Sequence, residues 1–412
     1  MVDKAAIIYP CPKRLSQKFL HFGFTFCPYV FLGPVNDYVV APIARYADKW
    51  NIPVITARAQ VSMFSRKELY RMLTRMMGSY NMLADAIKMI MTLFHWSHAA
   101  VLFHNNEDNS VKGHAKCYFA GAAIFQAIGR ESYHHSMNST ITYNNLKNVL
   151  LAASKEARVI IICAEKTIVR EILLAAEELN MIDNGEYVFF SVELYSSFKF
   201  IGSKPWFDAN DTDDRNARAK KAFSALLVVT PKMPDSEKYR NFSMKVKERA
   251  REYSTNISDN TPVSPFVTAF YDGILLYAIA LNETIESGGS PRDGLAVTQR
   301  MTNRSFEGVT GYIFMDENGT RLIDFSLLDL NPNSGEFHIV AHYINANKSL
   351  EFLPKAQIHW SGGRQDAPPD TPECGFDGSL CADYDKLMFW VLVGLAFWAM
   401  VASMVISIVI YR

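Results

Sequence analysis

The stretch Arg158-Val159-Ile160-Ile161-Ile162-Cys163 is apolar at every position after its arginine, and a helical segment, Thr167 to Asn180, follows it. A strand without polar alternation buries both of its faces, as strands do in parallel sheets covered by helices on either side. The same alternation of strand and helix runs outward in both directions. Upstream lie Val30-Phe31-Leu32 before the Gly33-Pro34 turn, the helix Val39 to Trp50, the strand Ile52 to Thr56, the helix Tyr80 to Phe94, the strand Ala99 to Phe103 and the helix Ala115 to Ala127. Downstream, Tyr187 to Phe190 is a further buried strand. The class is therefore α/β, and there are more units than one small sheet carries, so two lobes with a cleft between them are expected.

Composition agrees with a well-packed body. Of 412 residues, 49% are hydrophobic and 20% charged, and the formal net charge is zero, so there is no electrostatic footprint of a nucleic-acid binder. The run from Leu387 to Tyr411, LMFWVLVGLAFWAMVASMVISIVIY, carries no charge, and a helix of that length covers the ~30 Å hydrocarbon core of a bilayer. A single membrane span is expected there. Asp377, Asp383 and Asp385 precede it and Arg412 follows, as the positive-inside rule expects for a body outside the cell, and a plasma-membrane location is the expectation. N-x-Ser/Thr acceptors at Asn138, Asn210, Asn241, Asn256, Asn282, Asn303, Asn318 and Asn347 exceed the about three that chance supplies, and favour a secreted compartment. Six cysteines fit too, with Cys374 and Cys381 enclosing a short loop that reads as a disulfide. The amino-terminal stretch MVDKAAIIYPCPKRLSQKFLHFGFTF reads as no secretion signal, and an incomplete amino terminus is the expectation.

Candidate chemistry is sparse. His95 and His98 have a metal-ligand spacing with no evident carboxylate or cysteine partner, and read as structural. His134 and His135 are adjacent and point apart. The run Asp208, Asp211, Asp213, Asp214 has neither the glycine nor the terminal glutamate of a calcium loop and reads as solvated. Phosphate-loop, nucleophile-elbow and kinase signatures are missing from the sequence, so neither catalysis nor a metal is expected.

Longer segments carry a specific resemblance. VFLGP at 30–34 with Asn36, Tyr38, Ile43 and Arg45, WNIPVIT at 50–56, RVIIIC at 158–163, EYVFF at 186–190 and FYDGILLY at 270–277 are similar to segments of the natriuretic peptide receptors. QRMTNRSFEGVTGY at 299–312, DFSLLD at 324–329 and PPDTPECGFD at 368–377 follow in the same order, the last resembling the guanylate-cyclase-coupled members. The resemblance implies a type I periplasmic-binding-protein-like fold with two lobes, parallel sheets and a cleft, followed by a single transmembrane helix. It divides the chain into an unmatched segment 1–27, a ligand-binding region 28–360, a juxtamembrane linker and disulfide loop 361–386, and a membrane helix 387–411. Within the region, 28–98 and 262–310 fall in the first lobe, 99–261 and 311–360 in the second.

The implied function is a single-pass receptor that binds a peptide hormone as a homodimer, coupled in the full-length family to guanylate cyclase. This chain is expected to receive hormone without itself making cyclic GMP. Implied ligand contacts are Tyr38, Arg45, Tyr70, Tyr118, Phe119 and His135, while Asn138, Ala122 and Leu69 depart from the family pattern. A disulfide between Cys117 and Cys163 is implied, as is a chloride ion facing the amides of Gly33, Val35 and Asn36, with no other cofactor. The alternatives are a decoy or clearance-type receptor, and a small-molecule sensor that closes on its ligand between the lobes.

Overall fold

The apolar strand at 159–163 lies inside an eight-stranded sheet, third from one edge. The computed structural model describes residues 28–106, 113–129, 132–138, 140–195, 201–253, 263–376 and 384–411. The chain opens with β1 (Phe31–Leu32), α1 (Asp37–Trp50), β2 (Val54–Thr56) and β3 (Leu73–Arg75), which form a three-stranded parallel sheet in the order β1-β2-β3. There follow α2 (Tyr80–Leu93), β4 (Ala99–His104), α3 (Lys116–Ile128), β5 (Tyr133–Met137), α4 (Tyr143–Ala153), β6 (Val159–Cys163), α5 (Lys166–Glu178) and β7 (Val188–Val192). Next come α6 (Asp213–Ala222), β8 (Leu226–Pro231), α7 (Glu237–Arg251), α8 (Pro265–Glu286), α9 (Gly294–Arg300) and the hairpin β9 (Arg304–Gly308) and β10 (Gly311–Met315). The chain ends in β11 (Phe325–Leu330), β12 (Phe337–Ile344), β13 (Ser349–Phe352) and α10 (Tyr384–Tyr411).

The large sheet runs β13-β12-β11-β8-β7-β6-β4-β5, parallel from β5 to β8 and antiparallel from β8 to β13. Successive side chains alternate faces. Val101 and Ile161 pack with Leu83 and Ile87 of α2 and Ile124 of α3, whereas Leu102, Ile160 and Ile162 pack with Leu150 of α4 and Leu173 of α5. Both faces are dry, which is why these strands read as continuous apolar runs.

The small sheet is covered in the same way. Val40, Ala44 and Ala47 of α1, at spacings of four and three, meet Val54, Phe64, Tyr70 and Leu73 on one side. Leu276 and Ala280 of α8 meet Ile55 and Met76 on the other. Gly273 allows that approach, since a Cβ there would stand 2.8 Å from Ile55 Cγ2. The two-lobed architecture agrees with the sequence, but two boundaries differ. α2 packs on the large sheet although it lies in 28–98, because its apolar face is complementary to that of α3. The boundary at 310 would also cut the β9–β10 hairpin, which stays with the small lobe through Phe306 and Ile313.

Two readings of polar residues are corrected. His98 does have a carboxylate partner: Asp370 accepts from the Ser97 and His98 amides at 2.7 and 2.9 Å, and its Oδ2 lies 2.8 Å from His98 Nδ1. Within the 208–214 run Asp211 is held in an ion pair, since buried Arg170 donates to it at 2.8 Å and to the Trp206 carbonyl at 2.9 Å, while Asp213 and Asp214 are exposed as expected.

α10 is 28 residues long, about 42 Å at helical rise, and its 388–408 stretch is exposed all round. α8 is also long and apolar, but its inner face is in the core.

Candidate functional site

The expected contact residues fall into two groups. Tyr38 and Arg45 are seven residues apart on α1 and so share one helix face, opposite the buried Val40, Ala44 and Ala47. Asn36 caps the helix, its side chain accepting from the Tyr38 amide at 2.9 Å, which fixes the turn that presents the tyrosine. Tyr118 and Phe119 occupy the first turn of α3. That turn is tied to the end of β6 by the Cys117–Cys163 disulfide, with the two Cα atoms 5.4 Å apart.

The two groups meet. The Tyr38 hydroxyl accepts a hydrogen bond from the His114 amide at 2.8 Å, and its ring lies edge-on to Phe119 with centroids 6.1 Å apart. His114 stacks on Tyr118 at 3.8 Å with an interplanar angle of 8°. Tyr118 in turn packs edge-on against Phe103 of β4 at 5.9 Å. Gly113 makes room for this: a Cβ there would stand 2.7 Å from the Tyr38 ring, and its φ of +69° suits glycine. The outcome is a continuous aromatic surface joining α1 of the small lobe to α3 of the large one. His114 escaped sequence reading; the available signal was an aromatic-capable side chain four residues before Tyr118.

Tyr70 and His135 are placed otherwise than expected. Tyr70 is fully buried, its ring against Phe64 at 5.0 Å, so it supports Arg45 from below instead of facing a ligand. His135 stands opposite Leu102 in the β4–β5 ladder, on the sheet face away from α3, with its ring parallel to Tyr133. His134 takes the α3 side and meets Phe125 at 4.6 Å. Burial, and then the neighbouring His134, push the His135 imidazole below its ordinary range.

At the Gly-Pro turn, one of the three amides expected to face a chloride ion is committed elsewhere. Gly33 donates its amide to the Ile55 carbonyl at 2.8 Å, within the sheet ladder, so it cannot face an ion as expected. The next acidic group, Asp37, is pushed above the usual carboxylate range by burial, opposed by Arg58, and its Oδ1 is buried without a partner.

Among the acceptor asparagines, Asn138, Asn210, Asn241, Asn282, Asn303 and Asn347 are exposed, Asn318 is half-buried, and Asn256 lies outside the described residues. Cys374 is disulfide-bonded, while Cys381 lies outside the described residues. A cavity of ≈ 380 Å³ opens between the lobes, lined by Met76, Tyr195, Lys232, Thr310, Tyr312 and Arg321 among others. Arg321 donates to Thr310 Oγ1 at 2.8 Å and to Asp272 Oδ2 at 3.5 Å, and its buried Nε has no partner among the described residues.

Comparison with known proteins places this geometry. The family model described as Receptor family ligand binding region matches residues 13–333. A receptor-type guanylate cyclase of Caenorhabditis elegans is 36% identical over 406 residues, covering 88% of this chain and 31% of the relative. Atrial natriuretic peptide receptor 3 of Homo sapiens is 31% identical over 337 residues, covering 81% of this chain and 60% of the relative. Atrial natriuretic peptide receptor 2 of Rattus norvegicus is 33% identical over 387 residues, covering 91% and 36%. The chain thus spans between about a third and three fifths of the length of these relatives.

Proposed function

The chain belongs to the receptor ligand-binding family, and on that premise we propose that it is the peptide-binding body of a single-pass receptor, anchored in the plasma membrane by α10 with its two lobes outside the cell. The observation that carries the reading is the aromatic surface of Tyr38, Tyr118 and Phe119 with Arg45 beside it. Tyrosine, phenylalanine and arginine on rigid elements are the side chains that dominate peptide interfaces. Two relatives bear the name of natriuretic peptide receptor, which points to a peptide of that class, gripped between two copies of this chain. In a longer protein such a body would couple to guanylate cyclase, the activity named for another relative; a short form would act as a decoy.

The test is binding of labelled atrial natriuretic peptide to cells displaying the whole chain behind a heterologous secretion signal. Saturable binding is expected, and no binding above that of untransfected cells would remove the reading. The inter-lobe cavity favours a second reading, a small-molecule sensor, because the exposed cation Lys232 lines it and suits a carboxylate. A thermal upshift of the protein with a small carboxylate ligand and none with peptide would select it.

A further inference from the structure

We propose that His114 is a ligand-contact residue in its own right, held in one tautomer so that its Nε2–H donates to a carbonyl or carboxylate oxygen of the bound peptide. This rests on the peptide reading and adds to it a directional polar contact on an otherwise apolar surface.

The tautomer follows from hydrogen-bond polarity. Asn105 is buried, and one of its terminal atoms lies 3.0 Å from the Ala115 amide nitrogen. A backbone N–H can only donate, so that atom is Oδ1. The other terminal atom is therefore Nδ2, which can only donate, and it faces His114 Nδ1 at 3.1 Å. Nδ1 must accept, and the imidazole proton resides on Nε2. The ring is exposed, and among the described residues no hydrogen-bond partner faces Nε2. Its orientation is fixed independently by the stack on Tyr118 and by the His114 amide, which is committed to the Tyr38 hydroxyl. Neighbouring Asn106 closes the other side, donating to the Gly113 carbonyl at 2.6 Å. A donor so placed in the centre of an aromatic patch is pre-organised, and an acceptor from the peptide would meet it without ordering cost.

Two readouts decide this. Long-range proton–nitrogen NMR of histidine-labelled, unliganded protein at neutral pH should show the Nε2–H tautomer for His114; the Nδ1–H tautomer would overturn the proposal whatever the ligand is. His114→Phe keeps the stack on Tyr118 and removes both nitrogens; losing the acceptor for Asn105 Nδ2 should lower its melting temperature, and the folded variant should bind labelled atrial natriuretic peptide about tenfold more weakly. His134→Phe, on β5, should bind as the parent does. Equal affinity of His114→Phe and the parent would overturn the contact. A parent that binds no peptide while showing the Nε2–H tautomer would instead sink the underlying peptide reading, and the assigned partner with it.

Discussion

Arg45 donates from Nη2 to the hydroxyl of Tyr70 at 3.0 Å, and its guanidinium lies over the same ring, 5.4 Å from the centroid. An exposed cation is thus held in place by a fully buried phenol. Tyr70→Phe should retain the packing against Phe64 and lose the bond, lowering stability by about 1 kcal/mol in urea melts, whereas Tyr70→Ala should cost about 3–5 kcal/mol. A silent Tyr70→Ala would contradict the core placement.

The Cys117–Cys163 bridge spans 46 residues of sequence. Closing a loop of that size constrains the unfolded chain by about 3–4 kcal/mol in the chain-entropy account. The double Cys→Ser variant should melt at clearly lower temperature and exchange amide hydrogens faster in the first turn of α3. Unchanged melting would argue against a formed bridge.

These elements show how much was legible. Buried strands, their helices and the long apolar α10 could be read because periodicity and apolar runs are local. Tyr70 could not, since it follows a short irregular segment with no period to give its direction. His135 required the β4–β5 register, because one residue's slip exchanges the faces. Asp370 and His98 are 272 residues apart, and no local pattern joins them. The aromatic surface needed both lobes at once.

That Asp370–His98 contact fastens the segment leading to α10 onto the large lobe. Burial raises the Asp370 carboxyl, but the amides of His98 and Ser97 and the Ser97 hydroxyl outweigh it and hold the group below the usual carboxylate range. A depressed folded value means that the bonds contribute fully above the unfolded value of about 3.9 and fade as pH falls through the folded one. Asp370→Asn should therefore speed hydrogen exchange of residues 368–376 at pH 7, and the difference from the parent should vanish once the pH falls below the folded value. A pH-independent difference would contradict this.

Exposed acceptors at Asn138, Asn210 and Asn241 predict N-glycans when the chain is displayed at a cell surface. Enzymatic deglycosylation should increase gel mobility, and microsomal membranes should protect the body from protease. A body digested in intact microsomes, with no mobility change, would reverse the topology.

The proposed peptide site centres on the aromatic face. Tyr118 and Phe119 are partly buried, with one flank on the core and the other toward the surface. Alanine at either should cost about 1–2 kcal/mol of stability while leaving the chain folded. The decisive measurement is the affinity for labelled atrial natriuretic peptide of folded Tyr118→Ala and Phe119→Ala beside the parent. The expected result is a loss of about 2 kcal/mol or more, near thirtyfold; variants that bind as tightly as the parent would show these rings to be packing alone.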